Sequence, residues 1–223
     1  MSEHSPSHDR KFFGAMAALL VVLIVAGFAP TFFVRGAFGD LPPLPSAVQL
    51  HGRLGALWVA LYAGQTCLVA AGRLAWHRRL GGVGALVAAA FVVSGALVIR
   101  AFELSHFEES AATLAAHVFT NGAPLTAFAV FVGAGVVQRR VAARHKRFML
   151  LAAVVLLPAA ISRLFGPFGL ASLNFPIYAC IAFAAVAYDL CLRRRPHPVS
   201  LYGAIALVAL DLTTTWWLEQ VGS

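Results

Sequence analysis

Four of the eight histidines fall into two pairs whose placement suits a metal held between helices. His51 and His117 each lie about one turn inside an apolar block, entered from the same side. His77 and His145 share the opposite end. Two imidazoles facing each other across a bundle can supply both axial ligands of a haem iron, provided their neighbours keep the rings neutral and oriented. His51 and His117 are therefore candidate ligands of a haem b, with His77 and His145 as a second pair. The gap from His51 to His77 is 26 residues and from His117 to His145 is 28. At 1.5 Å per residue, 26 residues cover about 39 Å, more than a bilayer core of about 30 Å. The four rings thus belong to the two interfaces. The competing readings are helix–helix hydrogen bonding for the first pair and snorkelling, headgroup-facing side chains for the second, each of which precedes two basic residues.

Two charges inside apolar blocks also need an account. Arg163 lies about fifteen residues into the fifth block and Asp211 about twelve into the seventh, counted from the same side. Those offsets are about 18–22 Å along a helix, a shared depth in the outer half. A lone charge there costs at least about 2.5 kcal/mol, so each is expected to face inward and to pair with the other. The pair reads as an ion pair locking two helices, or as an arginine positioned by Asp211 to bind a carboxylate, a phosphate or a haem propionate. Asn121 adds hydrogen-bonding capacity to this set. Gln65, Asn174, Thr120 and Thr213 to Thr215 read as polar glue between helices. Asp189 stands four residues before Arg193, the spacing of an i,i+4 pair. Cys67, Cys180 and Cys191 form no CxxC motif and read as buried small hydrophobes.

The elements that must position these residues follow from composition. The chain of 223 residues is 60% hydrophobic and 12% charged, about half the charge of an ordinary soluble domain. The apolar residues come in blocks near the length of a membrane crossing. Seven spans are expected, at about 12–34, 49–71, 81–101, 114–137, 148–166, 173–192 and 199–218. They are helices, because each is too long for a barrel strand and lacks period-two alternation. The fold class is all-α, a single transmembrane bundle over 1–223 with a short polar tail at 1–11. The first block is too long for a signal-peptide core and reads as a retained helix. Six spans result if GPFGLASLNFP, before span six, is re-entrant. The segment RRRPHPVSLYG reads as a tight loop whose prolines end one helix and start the next.

The net charge of +8 comes in clusters between blocks, not on one continuous face. That excludes a nucleic-acid footprint and fits cytoplasmic loops under the positive-inside rule. Thirteen of the seventeen Lys and Arg residues lie in alternate connections, while Asp40, Glu103, Glu108 and Glu109 lie in the others. The N-terminus is expected inside and the C-terminus outside. No P-loop, HExxH, GxSxG or Rossmann fingerprint occurs.

The stretch HGRLGALWVALYAGQTCLVAAGRLAWHRRLG, residues 51–81, resembles uncharacterised bacterial multi-pass membrane proteins with a histidine opening one helix and a His-Arg-x-Leu-Gly step before the next. The resemblance implies a bacterial inner-membrane protein. A weaker likeness is to cytochrome b561-type electron carriers, in which helix-borne histidines bind haem. It would make His51, His77, His117 and His145 ligands, and would imply electron transfer or redox-complex assembly with a redox protein partner. The alternative from a different class is a sensor or carrier for a small anionic or amphipathic ligand near Arg163 and Asp211. Nothing in the sequence assigns an enzymatic reaction.

Overall fold

The computed structural model describes residues 6–39, 42–106 and 108–222; His4 and Asp40 lie outside them. The described residues form helices with no strand among them. Helix α1 (Pro6–Phe28) continues into a π turn, Ala29–Phe33. Then come α2 (Ser46–Ala70), α3 (Leu74–Ser105) and α4 (Ala111–Val137). Helices α5 (Ala142–Val154) and α6 (Leu157–Phe165) together make one broken span. Helices α7 (Asn174–Arg193) and α8 (Pro198–Gly222) complete the bundle. Seven helical stretches among the described residues are long and apolar enough to cross a membrane, so the chain is a polytopic membrane bundle.

Every span begins earlier than hydropathy places it, by one to seven residues. The added turns carry Arg10 and Lys11, Arg78 and Arg79, and Arg144, Lys146 and Arg147. Lys and Arg lower hydropathy without opposing a helix, for which they are good formers. Residues 6–11 of the polar tail are accordingly the opening turns of α1. The two breaks coincide with prolines, which lack the N–H and crowd the carbonyl one turn back. Pro30 lies in the π turn, where Val34 N–H reaches back to Ala29 O at 2.9 Å. Pro158 follows the α5–α6 break, where Leu156 N–H bonds Ala153 O, three residues back.

The broken fifth span forms the centre. Leu150, Ala152, Val154, Leu157, Ala160 and Ile161 are all buried in the protein. Helix α1 packs against α6 so closely that a Cβ on Gly27 would collide with the Ala160 carbonyl. Large apolar side chains such as Val22, Leu86, Leu97 and Val130 instead cover the outside, as a lipid-facing surface requires. The three cysteines are free and also lie on the outside, which corrects their reading as core residues. GPFGLASLNFP is a connection of two short 3-10 turns, Gly166–Phe168 and Ala171–Leu173, reversed at Gly169 with φ +71°. It joins two full spans, and the count is seven.

The basic clusters gather at one end of the bundle, called here the basic end. If Lys and Arg set the orientation, a reporter active only in the cytoplasm should work when fused after Arg140 and be silent when fused after Gly222. Activity at both fusions would break the alternation that seven spans impose.

Candidate functional site

At the basic end, α3 and α5 each carry a histidine as their fourth residue, His77 and His145. The bundle brings these two rings together, with centroids 6.0 Å apart and planes at 74°. His145 sits just past the α4–α5 turn, and its Nδ1–H donates to the Gly135 carbonyl at 2.8 Å. That carbonyl is one of the last of α4, which the helix itself leaves without a donor. The bond fixes the His145 tautomer and leaves Nε2 with its lone pair. His77 approaches the main-chain carbonyl of Gln65, but its Nδ1 is buried with no hydrogen-bond partner. Both side-chain atoms of Gln65 are likewise buried and unpartnered. Beside them opens a groove of about 410 Å³, lined by Gly64, Gln65, Cys67, Ala71, Arg73 and Leu80 among others. Buried polar atoms normally find partners; these three have none among the described residues.

The outer pair behaves differently. His51 Nδ1 bonds Ser94 Oγ at 3.0 Å, and its ring stacks on Phe91 at 4.3 Å. Ser94 gives its own hydroxyl proton to the Phe91 carbonyl, so it accepts from His51. His117 stacks on Phe102 at 3.6 Å, on the same helix α3. Phe102 and Ser94 are eight residues apart and Phe102 and Phe91 eleven, which is about 12–17 Å of helix. The expected shared depth of His51 and His117 is therefore not found. The cause is the length of α3: at 32 residues it overshoots the start of α2 by roughly two turns, and α4 begins out there.

Arg163 and Asp211 do not form the expected ion pair among the described residues. Arg163 Nη1 donates to the Ala159 carbonyl at 2.7 Å, and the guanidinium lies 4.8 Å over the Phe28 ring. The fifth span starts at Ala142 and the seventh at Pro198. From the level that Arg147 and Ser200 share, Arg163 is 16 residues on and Asp211 only 11, an offset of about 8 Å. Asn121 joins neither: its amide bonds stay within α4, to the His117 carbonyl at 2.9 Å and the Thr120 hydroxyl at 3.5 Å.

A polar centre that the sequence reading missed lies at the basic end. Arg147 is 1% exposed, Asp189 0% and Ser200 1%. The Arg147 guanidinium grips Asp189 with both Nε and Nη2. It also donates to Ser200 Oγ at 2.9 Å and to the Ala143 carbonyl at 2.8 Å. Ser200 Oγ donates in turn to Asp189 at 2.8 Å, and the His197 main-chain N–H does so at 3.2 Å. Arg193 makes the expected i,i+4 ion pair with Asp189 at 3.9 Å, but without a hydrogen bond, so Arg147 is the closer partner. A second pair beside this one ties Asp9 to Lys146 and to the Tyr188 hydroxyl. Together they join α1, α5, α7 and α8. The tight loop read from RRRPHPVSLYG makes this possible: α7 ends with Arg194 at φ +56°, Pro198 opens α8, and the turn aims the His197 N–H back at Asp189.

His197, in that loop, accepts a hydrogen bond from Val199 N–H on Nδ1 at 3.1 Å. Burial first, then the charge of Arg147, hold its imidazole below the usual range near 6.5. In the unfolded chain the ring takes its proton at the ordinary value, whereas the folded protein resists it. The contribution of His197 is then complete above about pH 6.5 and is lost as pH falls below it. Thermal unfolding in detergent should show a drop between pH 7.5 and 5.5 that is smaller in His197→Asn, whose side-chain oxygen can still accept from Val199. Equal drops in both proteins would remove His197 from the account.

No family model, curated protein or solved structure matches the chain.

Proposed function

We propose that the protein binds one b-type haem at its basic end through His77 and His145, as an electron carrier or assembly factor in the bacterial inner membrane with that end in the cytoplasm. The observation that carries this reading is the His77–His145 juxtaposition. The two rings stand 6.0 Å apart between centroids, close enough that one metal ion could be held by both. The tether from His145 Nδ1 to a main-chain carbonyl is the support that metal-bound imidazoles commonly have. The unpartnered His77 nitrogen and the Gln65 amide leave polar atoms for a bound group to meet; Gln65 also lines the groove, which neither histidine does. A bound haem would supply one-electron chemistry, for which a redox protein partner is needed at the same face. His77 and His145 would hold the group, the Gly135 carbonyl orients His145, and Gln65, near His77, would lie beside it.

The reading built on an anion between Arg163 and Asp211 has no comparable geometry behind it, because the two do not meet. The deciding experiment is the absorption spectrum of the full chain purified in detergent from haem-replete cells. A reduced-minus-oxidised signal at about one haem per chain is expected. A colourless protein that also takes up no added haemin would end this proposal.

A further inference from the structure

The Asp189–Ser200 hydrogen bond sets the register of the antiparallel pair α7 and α8. Eleven residues back along α7 stands Tyr178, and eleven residues on along α8 stands Asp211. The two are therefore at one depth, about 16 Å from the basic-end lock, near the middle of the membrane. Both point inward. Ser200, Gly203, Ala204 and Leu207 form the buried stripe of α8, and Asp211 continues it, half-buried. Tyr178 opens the buried stripe of α7 that runs through Ala182, Ala185 and Val186 to Asp189, and it is itself 2% exposed. The two stand at one level on packed neighbouring helices. Yet the Asp211 carboxyl makes no hydrogen bond or ion pair among the described residues, and the Arg163 guanidinium is spent elsewhere.

The neighbouring helices offer Asp211 no counter-charge. Helix α4 has no titratable side chain between His117 and Arg139, and α5 has none after Arg147. Helix α7 contributes Tyr178 at this level and its next acid, Asp189, is bound to Arg147. An ionised carboxylate without a partner in hydrocarbon costs several kcal/mol. Taking up a proton removes that cost by turning the carboxylate into a neutral acid. We propose that Asp211, with the Tyr178 hydroxyl beside it, is a proton-binding site within the membrane. At neutral pH it holds its proton as a carboxylic acid. Release breaks the O–H bond and passes the proton to a water that reaches the site. This proposal does not rest on haem, and its test reads the carboxyl whether or not haem is present.

The test is infrared spectroscopy of the full chain in lipid nanodiscs at pH 7, with and without carbon-13 in the aspartate carboxyls. Of the four aspartates, Asp189 is paired with Arg147 and Asp9 with Lys146, so both are ionised. The expected result is a protonated-acid C=O band that shifts with the isotope, vanishes in Asp211→Asn and moves in Tyr178→Phe. No isotope-sensitive acid band at pH 7 would overturn the proposal, because Asp211 would then be ionised. Should Asp211→Asn fail to fold, the wild-type chain is treated with dicyclohexylcarbodiimide, which attacks protonated carboxyls in membranes. Peptide mass spectrometry should find the adduct on Asp211, with a rate falling as pH rises from 6 to 9. An unmodified Asp211, or a pH-independent rate, would contradict the site.

Discussion

Asp189→Ala should lower the stability of the solubilised protein by about 3–5 kcal/mol, because it strands the Arg147 guanidinium in the dry interior. Arg147→Met should do comparable damage from the other side, leaving Asp189 with Ser200, a main-chain N–H and the partly exposed Arg193 at 3.9 Å. The double change Arg147→Met with Asp189→Leu removes both charges and should recover much of either loss, since replacing a buried pair by apolar side chains is often neutral or better. That non-additivity is the mark of direct contact. Lys146→Met should cost far less. Its partner Asp9 and Lys146 itself are each about a quarter exposed, where solvent screens the pair. Thermal unfolding followed by tryptophan fluorescence measures all four, and purely additive losses at Arg147 and Asp189 would mean that the lock does not act as a unit.

The second large effect concerns colour. His77→Ala and His145→Ala should each remove the haem signal, because either loss opens an axial position and unseats the group. Losing a supporting partner of a metal ligand alone costs about 10–100-fold in affinity, and losing the ligand costs at least as much. His51→Ala and His117→Ala should keep the signal, since those rings serve Ser94, Phe91 and Phe102 in the packing of α3. Gln65→Leu should shift the haem spectrum or potential while leaving haem bound. Loss of haem in the His51 or His117 variants, with retention in the His77 and His145 variants, would reverse the assignment of the pairs.

The membrane bundle and its seven crossings were legible in the sequence because long apolar blocks leave few alternatives in hydrocarbon. So was the level shared by His77 and His145, as both stand in the first turn after a tight connection at the same end. Depth inside the bundle was not legible for the other residues. It depends on where each helix starts, and basic first turns hide that from hydropathy. Six unread residues at the head of the fifth span moved Arg163 away from Asp211. The overshoot of α3 beyond α2 separated His51 from His117. The Arg147–Asp189 lock was hidden for another reason. Arg147 stands in a run of basic residues whose orientation role is sufficient cause for its presence, and only the packing of α5 against α7 and α8 shows this one to be buried. Its signal, in hindsight, was Asp189: an acid in the last turn of a helix, where the macrodipole disfavours it, with Ser200 just past the following tight turn.

The haem assignment is tested most directly by low-temperature electron paramagnetic resonance of the oxidised full-length protein, reconstituted with haemin. Two imidazoles on one iron give a low-spin ferric signal, and the account predicts that signal in the wild type and in His117→Ala, at about one haem per chain. It predicts a high-spin signal or none in His145→Ala. A wild-type chain that binds no haemin, or whose low-spin signal survives in both His77→Ala and His145→Ala, would contradict it.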